Sequence, residues 1–250
     1  MTGMTDGKSP EQFIGKEGIA KLFNALHDHG YTVIGPTIDQ DAIVYDRIRS
    51  VDDLPCGWTD EQSPGVYRLK KRDDDALFGY VIGPHSWKQF LFPPQTTVAQ
   101  ADKTDTGWQF RTPDDDPPKF AFLGVRACEL AAMRVQDRVF LSGPYVDPIY
   151  QQRRTQALII AVNCTQAAST CFCTSMGTGP KCTCGFDIAL TELDEGFVVE
   201  AATGDGAEVV DALETSEATI SQLQAAGVAR HQAVEQIERR LDTTDVRDLL

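Results

Sequence analysis

Basic residues are scarce in this chain: 23 Lys and Arg stand against 37 Asp and Glu, a formal net charge of −14, with only four histidines. An acid excess of that size excludes nucleic acid as a partner, because a phosphate backbone needs a concentrated basic surface. The one short basic stretch, Arg68–Arg72, reads as an exposed strand. The acidity itself suits a saline cytoplasm or a basic partner protein. Long apolar runs are missing too. No stretch of about eighteen apolar residues occurs, so no membrane insertion is expected. The opening residues, MTGMTDGKSPEQ, hold no apolar core of a secretory signal. The expected location is cytoplasmic, a reducing compartment in which disulfides are uncommon.

Familiar catalytic patterns are lacking as well. There is no Ser–His–Asp arrangement, no carboxylate pair at a catalytic spacing, and no dinucleotide fingerprint. Gly177-Thr178-Gly179 hints at phosphate, but no Lys–Ser/Thr follows in the register of a P-loop. His27 and His29, near the end of a first helix, read as surface or cap residues, and His85 beside Pro84 is a weak candidate.

What the chain does have is cysteine. It has seven, and five of them form the run Cys164-x6-Cys171-x-Cys173-x8-Cys182-x-Cys184. Without disulfides these thiols need another use, and thiolates bind soft or borderline metals. Gly177, Gly179 and Gly185 would let backbone amides approach the sulfurs. The spacing matches neither the C-x2-C-x2-C-x3-C-P ferredoxin run nor the paired C-x2-C knuckles of a zinc ribbon. An iron–sulfur cluster ranks ahead of zinc, and zinc ahead of free or redox-switching thiols. In extended chain, side chains two apart point the same way, so Cys171 with Cys173, and Cys182 with Cys184, could each share a site. Cys56, in a Pro-Cys-Gly turn, reads as an ordinary residue.

With 42% apolar and 24% charged residues in 250, the chain suits one large domain or two small ones. Periodicity predicts a helix over 10–30, with Phe13, Ile14, Ile19, Leu22, Phe23 and Leu26 inward. Strands follow at Tyr31–Ile34, Ala42–Arg47, Val66–Lys71 and Leu77–Ile82. A short helix is expected in Trp87–Pro94, and a hairpin or loop over 100–118. Phe120–Val125 is an apolar strand, and Cys128–Leu141 a helix with Leu130, Met133, Val135 and Val139 inward. A short helix over Asp147–Thr155 and a buried strand at Ala157–Val162 complete a parallel β-α-β crossover. Segments 195–202 and 207–210 suggest a hairpin, and 215–241 a helix broken near Gly227. The fold class is therefore mixed α/β (α+β): a mixed sheet with a β-α-β crossover in the second half and a cysteine-rich, cluster-binding loop. Three portions are expected: 1–118, 119–214, continuous with the first as one domain, and a helical 215–250. Ligands of open α/β sheets sit beyond the carboxyl ends of the strands, so Cys128 and Cys164 should meet at one sheet edge.

Several stretches together resemble a known family. GVRACEL (124–130), DRVFLSGPYVDPIYQQRR (137–154), VNCTQAASTCFCTSMGTGP (162–180), GFDIALTEL (185–193) and FLFPP (90–94) are similar to the beta subunit of sulfhydrogenases, cytoplasmic nickel–iron hydrogenases, and to one of the subunits of anaerobic sulfite reductase. The resemblance implies an iron–sulfur electron-transfer subunit without bond chemistry of its own. It would stand between a flavin-containing, NAD(P)H-reactive subunit on one side and a catalytic hydrogenase or sulfite reductase subunit on the other. The family's C-terminal ferredoxin-like domain, with two C-x2-C-x2-C-x3-C-P runs, would be expected after Leu250. Carried over by position, the resemblance implies one 4Fe–4S cluster on Cys164, Cys171 and Cys173 with Cys128 as fourth ligand. Asp187 competes for that place. Cys182 and Cys184, which depart from the family pattern, could take it or support a second site. A metal-stapled scaffold without redox role is the alternative, and a free-standing enzyme using a cluster as Lewis acid is a third.

Overall fold

A computed structural model describes residues 11–81, 83, 85–111 and 117–244. The strands and helices run in the order β1 (Gln12–Gly15), α1 (Gly18–Asp28), β2 (Thr32–Asp39), β3 (Ala42–Arg47), β4 (Trp58–Ser63), β5 (Val66–Lys71), α2 (Lys88–Leu91), β6 (Gln100–Thr104), β7 (Gly107–Arg111), β8 (Phe120–Val125), α3 (Ala127–Leu141), α4 (Pro148–Thr155), β9 (Leu158–Val162), α5 (Cys173–Met176), β10 (Ile188–Leu193), β11 (Gly196–Ala201), α6 (Gly204–Asp211), β12 (Ser216–Glu217) and α7 (Ile220–Glu235).

Eight strands form one mixed sheet in the order β12-β1-β11-β10-β9-β8-β2-β3. Its centre, β10-β9-β8-β2, is parallel, and the outer pairings are antiparallel. Every residue of β8 and β9 is buried, as expected of parallel strands covered on both faces. Alternation divides their side chains between two cores. Ala121, Leu123, Leu158, Ile160 and Val162 face a core shared with Leu22, Phe23 and Leu26 of α1. Phe120, Phe122, Ile159 and Ala161 face another with Trp87, Leu130, Met133 and Tyr150. The β-α-β crossover expected from sequence joins β8 to β9 through α3 and α4. Two separate ribbons, β4-β5 and β6-β7, stand outside the main sheet.

Some expectations need correcting. Phe13 and Ile14 lie in β1, paired with Val198 and Phe197 of β11, and the helix begins only at Gly18. A long-range pairing thus claims residues whose spacing also suits a helix. Residues 77–81 form no strand, and Ile82 lies outside the described residues. Their amides are taken by side chains instead: Leu77 and Phe78 donate to the Glu192 carboxylate, and Val81 to Asp60. Segment 207–210 is in α6, whose start is fixed by Thr203 accepting from Gly206 N at 3.1 Å; the hairpin is β10-β11. Helix α7 runs unbroken through Gly227. Val135 and Val139 point outward, at 48% and 65% exposed. The hairpin expected over 100–118 is β6-β7, with 112–116 outside the described residues. No helix of the described residues is long and apolar enough to cross a membrane.

A thiol-lined cavity at the carboxyl ends of the parallel strands

Strands β8 and β9 both end at the same edge, and each delivers a cysteine there. The register of β8 against β9 shifts between Leu123 and Val125. Gly124 occupies that bulge at φ +97°, where a Cβ would meet Tyr80 Oη at 3.2 Å and Pro36 Cδ at 3.3 Å. Helix α3 follows at once. Glu129 accepts from Arg126 N at 2.9 Å, so the helix starts with Cys128 in its first turn. Beyond β9, Cys164 N donates to Pro180 O at 3.3 Å, which ties the start of the loop to its far side.

The loop then folds back. Cys171 N donates to Ala168 O at 3.0 Å, and Ala168 N donates to Cys171 Sγ at 3.4 Å. Cys173 opens α5, which ends in left-handed Gly177, and Thr178 N donates back to Cys173 O at 3.0 Å. Distant segments hold this path in place. Gln166 donates to Thr59 of β4, Ser169 to Gln62 O at 2.6 Å, and Thr170 to Gln62 Oε1 at 3.0 Å. On the other side, Gln236 accepts from Ala167 N at 2.8 Å, while Arg240 and Leu241 N donate to Thr174 and Ser175.

Cys128, Cys164, Cys171 and Cys173 all line one cavity of about 240 Å³, with Arg126, Gln166, Phe172, Pro180 and Ile237 among its walls. The lining surface is mainly apolar, with the thiols, Arg126, Gln166, Thr170 and Thr178 as its polar members. Gly179 presses on it closely, since a Cβ there would lie 3.1 Å from Ala127 Cβ and 3.2 Å from Cys173 Sγ. Burial pushes all four thiols above their ordinary range, Cys173 to about 11 and Cys128 further. Neighbouring thiols add to the rise at Cys128, Cys164 and Cys173.

Arg126 is the counter-charge. Its guanidinium is buried, donates to Phe78 O at 2.7 Å and Tyr80 O at 3.2 Å, and lies 4.8 Å from the Tyr80 ring centroid. Nε has no hydrogen-bond partner. The positive charge opposes the effect of burial on Cys164 and Cys171. In sequence, Arg126 stands out only as a neighbour of Cys128.

The other named residues lie elsewhere. Cys182 is buried in the apolar core with Phe122, Ile159 and Ala161, and its N–H donates to Asn163 Oδ1 at 2.8 Å. Cys184 is exposed, and Arg134 Nη1 donates to its sulfur at 2.6 Å. The expectation that this pair points the same way is wrong, because 181–187 is a series of bends, not an extended strand, and Gly185 turns at φ +83°. Asp187 accepts from Ile159 N and from Thr203 Oγ1, both at 2.7 Å, and does not line the four-thiol cavity. Among the described residues, no three His, Cys, Asp or Glu side chains converge closely enough to hold a single metal ion.

A mixed α/β sheet with a thiol-lined cavity beyond its parallel strands defines the class. No protein-family model matches the chain. Sulfhydrogenase 2 subunit beta of Pyrococcus furiosus is 28% identical over 194 residues, 78% of this chain and 49% of that protein. The chain is therefore similar to a sulfhydrogenase beta subunit over most of its length. The chain spans about half the length of that relative.

Proposed function

We propose that this chain is an electron-transfer subunit of a sulfhydrogenase-like complex and holds one 4Fe–4S cluster on Cys128, Cys164, Cys171 and Cys173. The observation that carries the reading is the meeting of four thiols, from three separate stretches of chain, on one largely apolar cavity beside a buried arginine. The donor set suits the group. A single zinc would draw its thiolates to about 2.3 Å from one point. A cluster spreads its thiolates over several irons, so they need not meet at one point. The Ala168 amide directed at Cys171 Sγ and the unpartnered Arg126 Nε are donors of the kind that stabilise charge on sulfur. When bound, such a cluster supplies single-electron acceptance and donation.

The protein's own residues do the rest. The four thiols release their protons on loading, against the upward push of burial, so metal uptake is favoured as pH rises. Arg126 offsets the negative charge that accumulates at the site, and the apolar walls exclude water, which together with hydrogen bonds to sulfur set a potential. Among the described residues lining the cavity there is no His, Asp or Glu to serve as a general base, which favours relay over bond chemistry. The relative's name implies further subunits of a sulfhydrogenase; a flavin-containing NAD(P)H-reactive subunit, a catalytic hydrogenase or sulfite reductase subunit and a cytoplasmic setting are what the family resemblance adds to this reading.

The test is anaerobic purification with iron and acid-labile sulfide analysis, and low-temperature EPR after dithionite. About four irons and four sulfides per chain, with a reducible signal, are expected for a cluster of this type. Stoichiometric zinc without an EPR signal would overturn the proposal and leave a metal-stapled scaffold.

A further inference from the structure

A second pocket, of about 440 Å³, adjoins the thiol cavity and shares Thr178 and Pro180 with it. Its lining includes Arg134 of α3, Lys181 of the loop, and Arg230 and His231 of α7, and no Asp or Glu. This is unexpected in a chain with 37 acids against 23 bases. Arg134, Lys181 and Arg230 make no ion pair among the described residues. Arg134 donates to Cys184 Sγ and Arg230 to Thr191 Oγ1 at 3.3 Å, both uncharged partners in their protonated form. Only His231 faces an acid, Glu235 at 3.4 Å.

Three elements distant in sequence therefore converge their positive charges on one concavity without neutralising them. Like charges held together repel, and this arrangement gains from an anion between them. The floor is different: Ala127, Leu130, Pro180 and Val234 make it apolar. The volume lies within the range of small-ligand sites, roughly 300–1,000 Å³, and exceeds what a bare inorganic ion would fill. We infer that this pocket binds a phosphorylated small molecule of nucleotide type. Arg134, Lys181 and Arg230 would take the phosphate and the apolar floor the remainder. Guanidinium groups suit this role through their fork of donors, with lysine as an added point charge. The inference stands whether or not the neighbouring cavity holds a cluster.

Isothermal titration of the anaerobically purified full chain with ADP, and separately with inorganic phosphate, tests it. Saturable one-to-one binding of ADP is expected, weakened at high salt. Lys181→Gln and Arg230→Gln should each weaken it by about tenfold, the fold-change of one lost charge-assisted contact, with iron content unchanged. Lys181 is exposed, so its variant stays folded even if loss of the Arg230–Thr191 bond destabilises the other. Stronger binding of ADP than of phosphate supports an organic phosphate, and equal binding reduces the site to free phosphate and overturns the nucleotide assignment. Absence of saturable binding to both, or binding that Lys181→Gln leaves intact, overturns the site altogether. So does capture of an acidic peptide but neither small ligand, which would make the pocket a protein-docking surface.

Discussion

Two Cys-x-Cys pairs lie nine residues apart in one loop, counted from Cys173 to Cys182, and they come to opposite ends. Cys171 and Cys173 both open onto one cavity. Cys182 and Cys184 part, one into the apolar core and the other to the surface against Arg134. Spacing is identical, so spacing is not what decides. The first pair is set by a local fold-back, with Ala168 bonded to Cys171 in both directions and α5 starting on Cys173. The second is pulled apart by two unlike anchors, Asn163 under Cys182 and a guanidinium above Cys184. A short cysteine motif specifies a shared site only where the backbone between its members has its own partners.

The contrast is broken most sharply by replacing one thiol from each pair. Cys173→Ser should lower bound iron from about four per chain to near zero, because a 4Fe–4S cluster rests on four cysteine thiolates. Cys184→Ser should leave iron unchanged. Equal iron loss in both, read by the same iron and sulfide analysis, would mean that the second pair also serves the cluster. A smaller effect concerns the charge balance around Arg126. Burial pushes Glu129 up to about 7 from an ordinary 4.5. The folded protein therefore keeps a proton that the unfolded chain releases between those values. Stability is fully present below about pH 4.5 and lost as pH rises towards 7, by on the order of 3 kcal/mol. Urea titrations of the metal-free protein across that window should show the slope, and Glu129→Gln should flatten it. Smallest is the difference within the second pair. Cys182→Ser places a hydroxyl in the apolar core, at a loss of about 1–3 kcal/mol, whereas Cys184→Ser should stay within about 0.5 kcal/mol. Urea midpoints separate the two, and a similar loss at both would mean that the Arg134 contact holds the loop.

Much of the sheet was legible because its central strands are unbroken apolar runs. Phe120–Val125 and Ala157–Val162 could hardly be anything other than buried strands, and their crossover then brought Cys128 and Cys164 to one edge. What escaped depends on partners far away in the chain. Phe13 and Ile14 fit a helix or a strand, and only Val198 and Phe197 decide. Leu77–Val81 has a strand-like composition, but Glu192 and Asp60 capture its amides. Val135 and Val139 follow the expected period yet meet no core. The basic pocket was invisible for the same reason, since its cations come from α3, the loop and α7.

The ties between the cysteine loop and the segment after α7 bear on how the protein is made. Ile237 walls the thiol cavity, and Arg240 and Leu241 fasten onto α5. Synthesis runs from the N-terminus, so all four thiols leave the ribosome well before this cover exists. A chain ending before residue 236 would lack this wall and present the thiols on a more open shelf.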